Sequence, residues 1–252
     1  AVAEGLGDLG HTIRKHDLVL NTSISDVLDS ELCFICVPTP SMEDGACDTS
    51  IVEEIVNDLV SRDYKGVICV KSTVTPGTTK ILQERHSRDD ICFVPEFLKE
   101  RSAKEDFVNN HDLCVIGTDS DEVWQLVKKA HGHYPKIFKR LSSTEAELCK
   151  YFNNTFNATL VTFANSFYEV CKRLSANYTS IKDTMVIREH INDVYIGCNE
   201  DLRGFGGMCL PKDTKAIDHL IKKLAIDVEF FGDILKENDK YEITVYDGMR
   251  KQ

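Results

Sequence analysis

The chain has 252 residues, of which 42% are hydrophobic and 28% are charged, and its formal net charge is −11. This composition is that of a folded chain and excludes a disordered one. The acidity argues against a nucleic-acid partner or an anionic membrane surface, and no apolar run reaches the ~20 residues needed to span a bilayer.

Ten cysteines are scattered along the sequence. Such thiols in apolar runs are typical of the reduced core of a cytoplasmic protein, which is the location we expect. The pair in CFIC resembles half of a zinc site, but positions i and i+3 of a strand point to opposite faces and no second pair complements it. We therefore predict no metal site. The cysteines found in apolar runs are Cys33, Cys36, Cys69, Cys92 and Cys114.

Strand and helix patterns alternate along the first 141 residues. A helical pattern runs from Ala1 to Leu9, and an extended stretch, read as a strand, then ends at Asp17. Further strands are predicted in ELCFICVPTP, which Pro38 and Pro40 break, and in GVICVKSTV, ICFVP and DLCVIG. Helices are predicted in IVEEIVNDLVSRDY, TTKILQERH and DEVWQLVKKAH. This alternation predicts an α/β fold with a parallel sheet and crossover helices.

The glycines Gly5, Gly7 and Gly10 formally match the dinucleotide-binding fingerprint. Those glycines should follow a strand and open a helix, with an acidic residue roughly 20 positions later. Only four residues precede Gly5 here, so we expect these glycines near the end of the first helix and the true glycine-rich turn outside this chain. Asp17 then occupies the position of a ribose-binding acid, or is simply a turn residue.

A long helix is predicted after residue 141. Ser142 and Glu145 form a capping-box pattern, and about thirty residues follow without Gly or Pro. A second, weaker apolar strip consists of Tyr151, Ala158, Val161, Ala164 and Tyr168, which favours a helix buried centrally or at a homodimer interface formed by residues 144–174. The main apolar stripe consists of Leu148, Phe152, Phe156, Leu160, Phe163, Phe167, Val170 and Leu174.

Two polar residues of this helix, Lys150 and Asn154, are one turn apart and point away from the main stripe. They are either a solvated lysine and an ordinary helix asparagine, or a pair that acts on one ligand.

The most specific string is GFGGMCLPKD, residues 204–213. Its glycines allow close backbone approach and leave the sulfur of Cys209 unshielded, and Lys212 is near enough in sequence to favour the thiolate. On this pattern alone, three interpretations of Cys209 stay open: a catalytic nucleophile, a structural cysteine of the loop, or a redox-active thiol.

Five motifs together resemble the nucleotide-sugar 6-dehydrogenases: VPTP at 37–40, KSTVTPGTT at 71–79, VPEFLKE at 94–100, AELCKYFNN at 146–154, and GFGGMCLPKD. The resemblance implies a Rossmann-type NAD-binding domain over residues 1–141, followed by a central helix and a small helical domain with the catalytic cysteine over 142–252. It implies NAD as cofactor and a nucleotide sugar as substrate. Family members usually continue into a third domain, so we expect a short form.

The catalytic roles follow from the resemblance, residue by residue. Cys209 matches the nucleophile that carries the thiohemiacetal and thioester. Lys150 and Asn154 match the pair that contacts the reacting oxygen. Asp213 matches the carboxylate that orients water, and Glu96 matches the general base for thioester hydrolysis.

The cofactor residues also follow from the resemblance. Thr73 matches a hydroxyl near both the nicotinamide and the catalytic water. Pro38 and Thr39 match a turn at the end of a strand that lies against the cofactor. Glu100 matches a second carboxylate near the cofactor or the water. Asp17 matches the acid that binds the ribose.

Three functions remain open at this level. The leading one is four-electron oxidation of a nucleotide sugar, UDP-glucose by default, which supplies uronic acid for polysaccharide. The second is a single-hydride enzyme of the hydroxyacid β-dehydrogenase type, which needs no cysteine. The third is a truncated, non-catalytic paralogue that binds a nucleotide sugar.

Overall fold

The computed structural model describes residues 1–244, and the part described contains one five-stranded sheet. Its strands follow chain order from edge to edge, β1-β2-β3-β4-β5. All neighbours are parallel except β3 and β4, which are antiparallel at the pair Phe93–Gly117. The strands are β1 Leu32–Ile35, β2 Val67–Val70, β3 Ile91–Phe93, β4 Leu113–Gly117 and β5 Ile137–Leu141.

The predicted α/β fold is confirmed, while the expectation of a wholly parallel sheet is wrong at one strand pair. β3 ends at Phe93, and the chain returns to the sheet so that β4 runs against it. The described helices are α1 Val2–Asp8, α2 Ser50–Ser61, α3 Thr78–His86, α4 Ala103–Val108, α5 Asp121–His131, α6 Ser143–Arg173, α7 Tyr178–Met185, α8 Leu210–Lys223 and α9 Phe230–Asn238.

Both faces of the sheet are buried, as expected for strands covered by crossover helices. Alternate residues of β2 point to opposite faces: Ile68 and Val70 join one core cluster with α2 and α3. Cys69 belongs to a second core cluster on the opposite face, which also contains Cys92, Cys114 and residues of α5. The prediction of core thiols is confirmed for these three cysteines.

Cys36 departs from that prediction, because it follows β1 and is exposed. All ten cysteines lie within the described range, and none of them forms a disulfide there.

The glycines of the first helix do not form a phosphate-binding turn. Gly5 and Gly7 lie inside α1, and Gly10 follows its end with φ +90°. A Cβ on Gly5 would lie 2.5 Å from the Phe107 ring, so this glycine permits close packing of α1 on α4. The expectation that these glycines lie near the end of the first helix is confirmed.

The strand predicted to end at Asp17 is not formed. A strand requires a hydrogen-bonded neighbour, and residues 11–17 pair with none of the five described strands. Asp17 is exposed and accepts a hydrogen bond from the backbone N–H of Val19 at 3.0 Å. The residue therefore closes a local turn.

The chain divides into two compact units. The first comprises Ala1–Pro40 and Cys47–Lys150, and the second comprises Ser41–Ala46 and the chain from Tyr151 onward. The predicted domain boundary between residues 141 and 142 stays a prediction. Among residues 1–244, no helix combines the length and apolarity that a membrane span requires.

Helix α6 buries the weaker of its two apolar strips. Tyr151, Ala158 and Ala164 are at most 2% exposed, and Val161 and Tyr168 of the same strip are half-buried. The main aromatic stripe is exposed, and its rings stack in pairs along the helix, Phe152 on Phe156 and Phe163 on Phe167. The small side chains of Ala158 and Ala164 permit close packing at those two positions of the strip.

Candidate active-site residues

The loops that follow β1 and β2 are held together beside the carboxyl edge of the sheet. The Sγ of Cys47 lies 4.0 Å from the main-chain oxygen of Thr39 and 3.4 Å from that of Thr73. Thr39 is buried, Thr73 is half-buried and Pro38 is exposed. The structure thus brings Thr39 and Thr73 together, two of the residues predicted to face the cofactor.

Lys150 and Glu96 are also brought together. The Lys150 side chain is buried, and its Nζ donates a hydrogen bond to the main-chain carbonyl of Glu96 at 2.7 Å. Glu96 follows β3 and is half-buried. Because this bond uses the carbonyl, the carboxylate of Glu96 keeps its own acceptor positions for other donors.

Glu147, one turn before Lys150 on α6, is a buried carboxylate that the sequence motifs did not single out. Its carboxylate is fully buried and accepts backbone N–H bonds from Gly77 at 2.5 Å and from Thr79 at 2.8 Å. Burial raises the pKa of Glu147, opposed by these hydrogen bonds. One signal was available: Glu147 precedes Tyr151 by one helical turn, which places a charge in line with the weaker apolar strip.

In the second unit, Cys209 is exposed at the N-terminal boundary of α8. Pro211 stands at the start of the helix, where its missing N–H costs nothing. The preceding loop is held by Asn238, whose side chain accepts from the N–H of Phe205 at 2.8 Å and donates to its carbonyl at 3.0 Å. The sulfur therefore lies at the positive end of a helix, on a loop with a fixed backbone.

Asp213 lies one turn into α8 and is fully buried. Its Oδ2 accepts a hydrogen bond from the Asn154 side chain at 2.5 Å, and its Oδ1 pairs with Lys212 Nζ at 2.6 Å. Two predicted catalytic residues, Asn154 and Asp213, thus form one network. The Lys212 ammonium, expected to favour the thiolate, is engaged by Asp213.

The remaining predicted residues are at the surface. Asp17 and Glu100 are both exposed, and Glu100 begins a 3₁₀ turn, Glu100–Ser102. Their roles toward a cofactor stay predictions.

The donor set of the first unit fits one end of NAD. Hydroxyl groups of Thr39 and Thr73 follow adjacent parallel strands, and open α/β sheets bind ligands beyond the carboxyl ends of such strands. The described residues contain no glycine-rich strand-to-helix turn for the pyrophosphate, since the matching glycines lie in and after α1. Within the same residues, no group of three or more His, Cys, Asp or Glu side chains could hold a metal ion.

Two family models match the chain. Residues 2–134 match the NAD-binding domain of the UDP-glucose/GDP-mannose dehydrogenase family, and residues 144–240 match its central domain. The chain therefore belongs to the UDP-glucose/GDP-mannose dehydrogenase family.

Individual relatives agree with this assignment. The chain is 30% identical to the UDP-glucose 6-dehydrogenase AglM of Haloferax volcanii, over 84% of this chain and 53% of that protein. It is 30% identical to the UDP-glucose 6-dehydrogenase TuaD of Bacillus subtilis, over 96% of this chain and 54% of that protein. A UDP-glucose dehydrogenase structure from Pyrobaculum islandicum aligns with a TM-score of 0.79 at 29% identity, covering 88% of this chain and 53% of that one. The chain thus spans about half the length of these relatives.

Proposed function

We propose that the protein oxidises the C6 primary alcohol of a nucleotide sugar to a carboxylate, with NAD as oxidant and UDP-glucose as substrate. The observation that carries this proposal is the placement of Cys209, an exposed thiol at the start of α8, one turn before the buried Asp213. Family membership and the names of the relatives support the same reaction.

The role of Cys209 is covalent. Its thiolate adds to the C6 aldehyde to give a thiohemiacetal, whose oxidation leaves a thioester that water hydrolyses to the carboxylate and the thiolate. Bound NAD would supply the oxidant, with one hydride acceptor for the conversion of the C6 alcohol to the aldehyde and one for that of the thiohemiacetal to the thioester. Covalent capture keeps the reactive aldehyde on the protein between them. Backbone N–H groups at the start of α8 favour negative charge on the sulfur.

Residues of α6 stabilise negative charge on the substrate oxygen. Lys150 contributes a cation and Asn154 an amide donor, one helical turn apart, and such donors are most effective where water is excluded. Both side chains are at least 93% buried, Lys150 being 7% and Asn154 5% exposed. The bond from Asn154 to Asp213 holds that carboxylate where it can orient a water beside the sulfur.

The first unit supplies the base and the cofactor contacts. Glu96 accepts the proton of the hydrolytic water through its carboxylate, while its carbonyl holds Lys150. Thr73 contributes a hydroxyl near the nicotinamide and the catalytic water. Pro38 and Thr39 hold the nicotinamide end, and Glu100 and Asp17 contact the cofactor further out.

The exposed aromatic stripe of α6 supports a homodimer. An apolar stripe that includes Phe152, Phe156, Phe163 and Phe167 is large for the surface of a monomer. We assign a second copy of the chain to this stripe.

We place the protein in the cytoplasm, as expected for a chain with reduced thiols in its core.

The test is turnover by the purified protein with UDP-glucose, UDP-N-acetylmannosamine and GDP-mannose, followed as NADH formation. Cys209→Ser is compared with Cys36→Ser, a matched loss of an exposed thiol outside the motif. We expect turnover of UDP-glucose by wild-type protein and Cys36→Ser, and a loss of about 100-fold or more in Cys209→Ser. Undiminished rates in Cys209→Ser would exclude the covalent route. Failure of wild-type protein with all three sugars would favour a non-catalytic binding protein.

A further inference from the structure

We propose that Glu147 is a positioning residue for the oxidation, because it ties the start of α6, which carries Lys150, to the loop after β2, which carries Thr73. The inference rests on the function proposed above for those two residues. The proposed role of Glu147 requires no contact with substrate or cofactor.

The tie consists of one carboxylate and two backbone groups. Both Glu147 oxygens are used, one by the N–H of Gly77 and the other by the N–H of Thr79. These N–H groups belong to the start of α3, where no intrahelical acceptor exists for them. A carboxylate suits the position because it offers two acceptors and its charge meets the positive end of the helix.

The loop that this carboxylate holds is short and anchored at both ends. It begins after β2, passes through Thr73 and the fully buried Val74, and reaches Gly77, whose φ of +99° is one that a residue with a side chain rarely adopts. The Oγ1 of Thr78 also donates to the carbonyl of Thr75 at 2.6 Å. A shift of the α3 start relative to α6 would therefore be passed to Thr73.

One turn after Glu147, α6 makes its second tie, from Lys150 Nζ to the carbonyl of Glu96 at 2.7 Å. The loops after β2 and β3 are thus bound to two successive turns of one helix. Releasing the Glu147 tie would let the Thr73 loop move while the Lys150 bond stays in place. The loss would appear as misplacement of reacting groups rather than as loss of a contact to the substrate.

The test is Glu147→Gln, with Glu145→Gln as the matched control. An amide at position 147 can accept a hydrogen bond from only one of the two backbone N–H groups, and its own NH₂ group then faces the other N–H, which loses its acceptor. Glu145 is exposed on the same helix and caps Ser142, a role that Gln also fills. We expect kcat to fall about tenfold in Glu147→Gln with KM for UDP-glucose changed less than about twofold, and no change in Glu145→Gln.

A double-mutant cycle separates positioning from general stability. In a Thr73→Ala background, Glu147→Gln should lower kcat by less than about twofold, because the group it positions is gone. An equal loss in both backgrounds would overturn the inference. If Glu147→Gln does not fold, Glu147→Asp, whose shorter carboxylate cannot reach both N–H groups, takes its place in the same cycle.

Amide hydrogen exchange provides a readout that needs no turnover. Exchange at Gly77 and Thr79 should be at least about tenfold faster in Glu147→Gln than in wild-type protein, and unchanged in Glu145→Gln. Unchanged exchange in an active enzyme would overturn this inference alone. Absence of wild-type turnover would overturn the proposed function and the catalytic part of the inference, while exchange would still decide whether the tie exists.

Discussion

Asn154 donates its side-chain N–H to the buried carboxylate of Asp213 at 2.5 Å, across 59 positions of sequence. Each residue was predicted separately as catalytic, and the structure makes them one network with Lys212. Because Asp213 is fully buried, its carboxylate oxygens rely on these two donors for their hydrogen bonds. A change in any of the three should therefore affect the other two.

Asp213→Asn should impair both catalysis and stability. The amide removes the acceptor for Lys212 and turns a donor toward the network, so we expect activity to fall about 100-fold and the free energy of unfolding to fall by about 1–3 kcal/mol. Urea unfolding and NADH formation measure the two effects.

The control for this change is Asp233→Asn, on α9. Asp233 also pairs with a lysine, but its side chain is 59% exposed and that of Lys236 is 75% exposed. Surface pairs of this kind contribute about 0–1 kcal/mol, so the control should retain activity and nearly all stability. Equal effects of the two substitutions would show that Asp213 has no special role.

The exposed stripe of α6 predicts a dimer that a charge can dissociate. Phe156 is 53% exposed and stacks on Phe152. Phe156→Glu would bury a carboxylate in the interface, and we expect sedimentation to show monomer where wild-type protein is a dimer at micromolar concentration.

Phe230→Glu on α9 is the matched control, because Phe230 is 51% exposed and lies off the stripe. It should leave the dimer intact. A wild-type monomer, or a dimer that tolerates Phe156→Glu, would contradict the assignment of a second copy to this surface.

His131 should make the protein sensitive to acid. Burial, and then the charge of Lys71, lowers the pKa of His131 to about 3. Its Nδ1 donates to the carbonyl of Val127, and its Nε2 has no hydrogen-bond partner among the described residues. The imidazole is therefore held neutral against the rings of Phe34 and Phe107.

The direction of this pH dependence follows from the protons that the folded and unfolded chains bind. The unfolded chain protonates this histidine near pH 6.5 and the folded chain near pH 3, so stability falls as pH drops through that window. From this residue we expect a loss of about 3 kcal/mol between pH 7 and pH 4. His131→Phe should lack that loss, whereas His133→Phe, at an exposed neighbour, should retain it. Equal losses in all three proteins, measured by urea unfolding, would refute the assignment.

Local patterns predicted the elements of the fold well. The TTKILQERH segment forms α3 over the same residues, Thr78–His86, and Ser142 and Glu145 form the expected capping box. These features depend on residues within one or two turns of each other. The motifs likewise placed Thr73, Glu96 and Lys150 on segments that the fold brings together.

The sequence could not predict contacts between residues that lie far apart along the chain. The antiparallel pairing of β3 and β4 depends on how the chain returns to the sheet. Asp17 lacks its strand because a strand exists only with a partner. Glu147 was missed because its partners are backbone N–H groups about 70 residues away, which carry no side-chain pattern. Apolarity alone also did not identify which strip of α6 is buried. The less apolar strip is the buried one, because packing depends on the shape of side chains as well as on their apolarity.

In the proposed reaction, Cys209 carries the substrate through two oxidations. The most direct measurement is the number of moles of NADH formed per mole of UDP-glucose consumed by the purified protein, with and without prior treatment with iodoacetamide. We expect two NADH per UDP-glucose, and no NADH once Cys209 is alkylated. One NADH per substrate, unaffected by alkylation, would contradict the proposed reaction and indicate a single-hydride dehydrogenase.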